Sequence, residues 1–351
     1  MKTAALAKMV CLPCYTEGRY MAPKPLTSFH EIETEWEGVL TSSPVNTVFL
    51  TPQWQEVWWD TFGDGKDMAG FYIPSNDDQG DGGSIDGLAS LTLSGDTLSF
   101  VGNQETVDYN DFMVRPGHES DFYQTLLTSL KDRQWDVMRL DSLVENSPTL
   151  THLPDLARQQ GYSVEIEKED TASGIELPST WDEYLAILSK KDRHELRRKF
   201  RRLEAVPDWK WYAVTGEEEV MSRLDDFVRL MRQSSQEKDE YMTEEHLRFF
   251  HAMARRMAQM GLLRLYFLEL EDKPVATSLC FDYASSRLLY NSGYDLEYGY
   301  YSVGLLLNAL CLREAIEKEI DYFDFLRGSE TYKQHLGGQP HDLYQMVVRR
   351  S

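Results

Sequence analysis

Three apolar strands follow one another closely between Leu262 and Ser292, and this run constrains the fold more than any other part of the chain. Leu262–Leu270, Pro274–Tyr283 and Arg287–Ser292 are joined by Glu271-Asp272-Lys273 and Ala284-Ser285-Ser286. Connections of that length make hairpins, so the strands are antiparallel neighbours. A small-residue turn, Ser302-Val303-Gly304, then feeds an apolar helix over Gly304–Lys318, and a strand over Ile320–Leu326 runs into the polar turn Arg327-Gly328-Ser329-Glu330. Hairpin strands beside a helix-and-strand unit make a mixed sheet, and the class is α/β. A strand, a glycine turn and a helix N-terminus also form an anion site, because unpaired N–H groups and the helix dipole point outward there.

Upstream, Lys210–Val214 reads as a strand and Glu217–Ser235 and Thr243–Met260 as helices, giving the second half the order β-α-α-β-β-β-α-β, a turn, then a last strand at Leu343–Arg349. The first half shows a fainter version of that order. Val48-Phe49-Leu50 reads as a strand, and Thr51-Pro52 opens a helix carrying Trp54, Val57, Trp58 and Phe62 on one face. Strands at Met68–Ile73, Ile85–Leu93 and Thr97–Val101 follow, the first two separated by a solvated acidic loop, Asn76–Ser84. A helix near Glu119–Arg133, a strand Trp135–Leu140, a helix near Pro148–Gln160 and a strand Ser163–Ile166 complete the half. The division is a loosely held tail over residues 1–30, a first lobe over 31–175 and a second over 176–351.

With 351 residues, 42% hydrophobic and 12% aromatic, the chain has enough apolar material for two packed lobes. No apolar run reaches membrane-spanning length, and Lys8 interrupts the short apolar stretch at the start, so a soluble cytoplasmic protein is expected. A net charge of −22 argues against non-specific binding to nucleic acid or anionic membranes. Cys11 and Cys14 form one CxxC without a second pair or histidines nearby, and no metal is expected. Against this acidic background, residues 190–202 hold eight Lys or Arg, from Lys190 to Arg202. That patch is either a solvated helix or a surface for tRNA, a CoA phosphate or an anionic acceptor.

The order of elements, with TPQWQEVWWDTFG, DYNDF, SKKDRHELRRKFRRLE, Ser302-Val303-Gly304 and FDFLRGSETYK, resembles the acyltransferase fold of the GNAT superfamily. The match is nearer to its CelD-like branch, related to the FemAB peptidyl ligases, in which two such lobes lie side by side. The fold implied is two tandem GNAT-like lobes, each a mixed, mostly antiparallel sheet flanked by helices. Two positions depart from the family pattern: Val303 stands where proline is usual, and Glu319 where glycine is favoured.

The resemblance implies an acyl-CoA donor, acetyl-CoA or another, with its pyrophosphate on the backbone of Ser302, Val303 and Gly304. On that basis Ser302→Ala should matter little and Gly304→Glu should abolish binding. Tyr332 would protonate the departing thiolate, and Lys333 would neutralise a phosphate. Asp324, on a strand face with Tyr322 and Leu326, is either a general base or a partner for Arg327 or another buried donor. Asp108, Tyr109 and Asp111 make a polar cluster that either holds the acceptor with Arg327, the two carboxylates raising each other's pKa, or forms an Asx turn. An aminoacyl-tRNA donor acting through Lys190–Arg202, and a non-catalytic binding module, are the alternatives.

Overall fold

The computed structural model describes residues 21–76 and 84–350. Cys11, Cys14 and most of the acidic loop lie outside them. The first lobe begins with β1 (Lys24–Pro25), α1 (Glu33–Ser42), a 3-10 turn at Val48–Leu50 and α2 (Pro52–Phe62). Short strands β2 (Asp67–Met68), β3 (Phe71–Pro74), β4 (Ile85–Ala89), β5 (Leu91–Ser94), β6 (Thr97–Phe100) and β7 (Met113–Val114) follow. It closes with α3 (Glu119–Leu130), β8 (Val137–Val144), α4 (Pro148–Gln159) and β9 (Ser163–Glu176). The second lobe opens with α5 (Trp181–Ile187), α6 (Lys190–Glu204), β10 (Lys210–Val214), α7 (Glu217–Ser234), α8 (Gln236–Tyr241) and α9 (Glu244–Gln259). The hairpin strands are β11 (Leu263–Leu270), β12 (Lys273–Tyr283) and β13 (Ser286–Tyr294). A 3-10 turn at Leu296–Tyr301, α10 (Val303–Glu317), β14 (Tyr322–Arg327), α11 (Thr331–His335) and β15 (Gln339–Arg349) end the chain.

Among the described residues, eleven strands form one mixed sheet across both lobes, in the order β10-β11-β12-β13-β14-β9-β15-β8-β6-β5-β2, and β1-β3-β4-β7 make a second sheet. The lobes are joined through backbone pairing. β9, expected to stop at Ile166, runs to Glu176 and pairs with β14 on one edge and β15 on the other. β15 in turn lies between β9 and β8, so the last strand of the second lobe completes the sheet of the first.

Local chemistry accounts for most elements. Thr51 caps α2 by accepting the Trp54 N–H, Pro52 starts the helix, and Trp54, Val57, Trp58 and Phe62 face the core. The Trp54 ring meets Phe249 at 5.8 Å, Phe281 at 5.5 Å and Tyr290 at 5.4 Å, so this first-lobe indole is buried in the second lobe. At about 25 cal/mol per Å² and roughly 200 Å² of ring, that contact is worth several kcal/mol to lobe docking. α10 is apolar on nearly every side because the sheet covers one flank and α5 and α6 the other. Gly293 in β13 is required by packing: a Cβ there would stand 2.4 Å from the backbone of Met231 in α7.

Three strand assignments are corrected. Val48–Leu50 is a 3-10 turn, closed by the Leu50 N–H on Thr47 O and the Thr51 N–H on Val48 O. Three apolar residues in a row carry no period that separates strand from turn. The strands expected at 68–73 and 85–93 each break in two, at Ala69-Gly70 and at Ser90, where the chain passes from one sheet to the other. Gly70 permits the crossing, since a Cβ there would lie 2.5 Å from the Ala89 carbonyl oxygen. At the N-terminal end, β1 pairs with Phe71 and Tyr72, and Leu26 and Phe29 are buried, so the fixed structure begins before residue 30.

Glu319 stands at a position whose backbone suits glycine. It follows the last turn of α10 with φ 56°, and the Ile320 N–H closes on Ala315 O in a left-handed helix stop. Glu319→Gly is expected to raise stability by about 1 kcal/mol in urea unfolding, since only glycine adopts that φ without a Cβ penalty.

Candidate active site

β13 and β14 pair in parallel only where Ser286–Leu288 meet Tyr322–Asp324, and beyond that point they diverge. Both strands are bent there. β13 bulges at Tyr290, between the partners of Leu279 and Cys280, and β14 bulges between Asp324 and Leu326, with Leu326 at φ 59°. A wedge therefore opens in the sheet between Leu289–Tyr294 and Phe325–Arg327. Ammonium groups stand at its two lips. Lys238 of α8 donates to Asn291 Oδ1 at 3.2 Å and to Ser292 O, and burial pushes its pKa down. Lys333 of α11 donates to the carbonyls of Leu326 (3.1 Å), Arg327 and Gly328 (3.2 Å) and meets Glu330 at 3.0 Å.

Lys333 is thus corrected from the expected phosphate partner. It is 2% exposed, and its donors are occupied by the carbonyls that β14 leaves unpaired at its end. Lys333→Met is expected to cost about 3 kcal/mol in urea unfolding, the usual scale for leaving buried carbonyls unsatisfied.

A first-lobe loop fills the wedge from one face. Glu105 O accepts from the Tyr241 hydroxyl at 2.6 Å and Thr106 O from the Tyr290 hydroxyl at 3.0 Å. This docking delivers Asp108 and Tyr109. The Tyr109 hydroxyl donates to Asp324 Oδ1 at 2.9 Å and lies 3.2 Å from His341 Nε2. Asp324 Oδ1 also accepts the Leu326 N–H at 2.7 Å, a bond the bulge makes available. Burial raises the Asp324 carboxyl to about 7, against the lowering effect of these two donors. Asp108 is pushed up to about 6, again by burial first, with Arg327 and Lys333 pulling it down. Arg327 reaches back into the first lobe, donating to Glu169 Oε1 at 3.0 Å and Ser142 Oγ at 2.7 Å, with Asp108 at 3.8 Å.

Asp108, Tyr109, Asp324 and Arg327, chosen from opposite halves of the chain, therefore converge. Asp111 does not. It accepts from Ser147 Oγ at 2.5 Å, from Thr149 Oγ1 and from the Phe112 N–H at 2.8 Å, holding the start of α4. Its own rise to about 6 comes from burial. The expected mutual raising of Asp108 and Asp111 is absent from the causes acting on either.

The turn before α10 lies beyond the other lip. Ser302 is left-handed at φ 57°, and its Oγ accepts from Arg202 Nη2 at 3.1 Å, making no bond to its own helix. The first backbone bond of α10 runs from Leu306 N–H to Ser302 O, so the N–H groups of Val303, Gly304 and Leu305 precede the helical ladder. Gly304 is glycine for a packing reason, because a Cβ there would come 2.8 Å from the Tyr294 ring. Gly304→Glu would therefore disturb the fold as well as any ligand. α6 runs beside this turn, and a cavity of about 250 Å³ lies between Lys191, Lys199, Leu305 and Leu336. The basic helix and the small-residue turn, read separately in the sequence, are neighbours. Tyr332 sits on the α10 face of the sheet, its ring 6.4 Å from Phe325, with burial raising its pKa. Among the described residues, no cluster of His, Cys, Asp or Glu could hold a metal ion, and no helix is long and apolar enough to cross a membrane.

Residues 190–334 match the family model for the acetyltransferase (GNAT) domain. The matched segment holds α6, the wedge, the Ser302 turn and Tyr332, whereas Asp108, Tyr109 and His341 lie outside it. Among solved structures, FemX superposes with a TM-score of 0.64 at 11% identity, covering 93% of this chain and 97% of that one. A tandem GNAT protein from the clavulanic acid biosynthesis pathway gives 0.50 at 13% identity, over 93% and 97%. The C-terminal domain of a putative lysylphosphatidylglycerol synthetase from Agrobacterium fabrum gives 0.53 at 8% identity, over 92% and 93%. No curated protein sequence matches the chain. The architecture is that of two tandem GNAT-like lobes.

Proposed function

We propose that the protein is an acyltransferase that moves an acyl group from acyl-CoA to an amine or hydroxyl by direct attack. The observation that carries this reading is the wedge between β13 and β14 inside the matched GNAT domain, with a bulged strand on one lip and a helix-start turn beyond it. The donor's phosphates would lie on the Ser302–Gly304 backbone beside α6, and its thioester would enter the wedge from the α10 face. N–H groups near Tyr290–Ser292 would polarise the carbonyl. The acceptor would arrive from the opposite, inter-lobe face. Its nitrogen or oxygen would bond to the carbonyl carbon while Asp324 takes its proton. The C–S bond would break with its electron pair on sulfur, and Tyr332, kept protonated by burial, would supply the proton. Asp108, Tyr109 and Arg327 would frame the acceptor. Membership of the CelD-like branch is part of the same proposal.

The cationic face of α6, on which Arg198 pairs with Glu195 and Arg202 donates to Ser302, favours a second reading, in which an aminoacyl-tRNA is the donor. Calorimetric titration with acetyl-CoA separates the two. Saturable binding, unaffected by charge reversal at Arg197 and Arg198, supports acyl-CoA; absence of binding to any acyl-CoA removes that donor.

A further inference from the structure

Lys238, at one lip of the wedge, is a half-buried ammonium with no carboxylate at ion-pair distance among the described residues. Glu330 and Glu237 act on it only from further away, Lys333 opposes them, and Glu330 is itself paired with Lys333 at 3.0 Å. Its two hydrogen bonds go to neutral acceptors, Asn291 Oδ1 at 3.2 Å and Ser292 O. A charge held this way is only partly compensated, and it favours any negative charge that develops beside it. Asn291 supplies the second observation. Its Oδ1 also accepts the Ser292 N–H at 2.9 Å, so one amide oxygen rests on a backbone N–H and an ammonium together. Both backbone groups of Ser292 are thus met by side chains, past the point where β14 leaves β13. A carbonyl-type oxygen on two such donors has the surroundings of a polarised acyl oxygen.

We infer that Lys238 is a catalytic residue: its ammonium and the Ser292 N–H hold the thioester oxygen, whose place the Asn291 amide oxygen takes until the donor displaces it. The inference rests on the proposed acyl transfer and adds to it a charged donor and a displaceable plug. As the acceptor's nitrogen or oxygen bonds to the carbonyl carbon, the C=O π pair moves onto oxygen, where both donors hold it. That pair re-forms the C=O bond as the C–S bond breaks with its electrons on sulfur. Lys238 keeps its protons throughout, and the proton transfers remain those of Asp324 and Tyr332. An ammonium binds the oxyanion more strongly than the neutral thioester, so its effect is largest in the transition state.

Two measurements on the full chain test it, and neither needs an acceptor. Infrared spectroscopy with acetyl-CoA isotope-labelled at its carbonyl carbon reads the polarisation directly. The bound carbonyl stretch is expected below that of free acetyl-CoA, and Lys238→Met should return it most of the way. Calorimetry with acetyl-CoA and free CoA reads the plug, because only acetyl-CoA brings a carbonyl oxygen to displace Asn291. Asn291→Asp puts a carboxylate on Lys238 and the Ser292 N–H, and should lower the ratio of acetyl-CoA to CoA affinity roughly tenfold. Asn291→Ala, which removes the plug, should raise that ratio about threefold. The Asn291 variants give a reading even where Lys238→Met folds poorly. A bound carbonyl stretch identical in wild type and Lys238→Met, or a ratio unmoved by Asn291→Asp, would overturn the inference while leaving the donor in place. Failure of the acyl-transfer reading looks different: neither acetyl-CoA nor CoA binds the wild type, and the inference falls with it.

Discussion

Asp324→Asn is expected to abolish acyl transfer and, at pH 8, to make the protein more stable than the wild type. The two effects share one cause. Burial moves the Asp324 carboxyl from its ordinary 3.8 to about 7, so the folded protein holds this proton long after the unfolded chain has released it. Between those pH values the native state binds the extra proton, and wild-type stability falls as pH rises, levelling off above about 7. At roughly 1.4 kcal/mol for each tenfold change in proton affinity, the ionised carboxylate costs on the order of 4 kcal/mol. Asparagine has the same shape, can accept from Tyr109 and the Leu326 N–H through its Oδ1, and does not titrate. Urea unfolding from pH 4 to 8 should therefore show the variant's advantage growing up to about pH 7 and then staying constant. Activity should fall by about 10²–10⁴, the usual contribution of a positioned base. In the wild type, activity should rise as pH passes through 7 and Asp324 loses its proton. A variant that is both less stable at pH 8 and fully active would leave Asp324 a purely structural partner of Tyr109.

The second large effect concerns the donor. Ser302→Asp is expected to weaken acetyl-CoA binding by at least tenfold while leaving the unfolding midpoint nearly unchanged. Aspartate tolerates the left-handed conformation better than most residues and is favoured at helix starts, and Arg202 remains available to pair with it. It places a full negative charge where a donor phosphate would lie, and repulsion at that distance in a partly desolvated site is worth several kcal/mol. Ser302→Ala should have little effect, since the expected contacts are made by the backbone. This pair of variants replaces Gly304→Glu, whose Cβ would already collide with Tyr294.

Much of the second lobe was legible because its strands are bounded by hairpin turns and its helices by caps such as Thr243, whose hydroxyl accepts the His246 N–H. Periodicity was enough there. It failed where backbone geometry breaks the period. Alternation put Asp324 and Leu326 on one face, and both do pack toward the first lobe, yet only a bulge between them turns the Leu326 N–H onto the carboxylate. The lip residues were not legible either. Lys238 lies in a polar stretch of α8 with no apolar pattern, and nothing in the sequence sets it apart from neighbouring surface charges. Lys333 was chosen for its charge, but its role follows from carbonyls that only the divergence of β14 leaves unpaired. The convergence of Asp108 and Tyr109 on Asp324 depends on docking across more than half the chain, which no local signal encodes. What pointed to both ends was composition: carboxylates and phenols placed among apolar neighbours.

The most direct test of the account is release of free CoA thiol from acetyl-CoA by the wild-type protein, followed with and without 1,4-diaminobutane. The account predicts thiol release that depends on the amine, with the acetyl group recovered on nitrogen by mass spectrometry. Absence of amine-dependent thiol release from any acyl-CoA, together with transfer from an aminoacyl-tRNA, would contradict it.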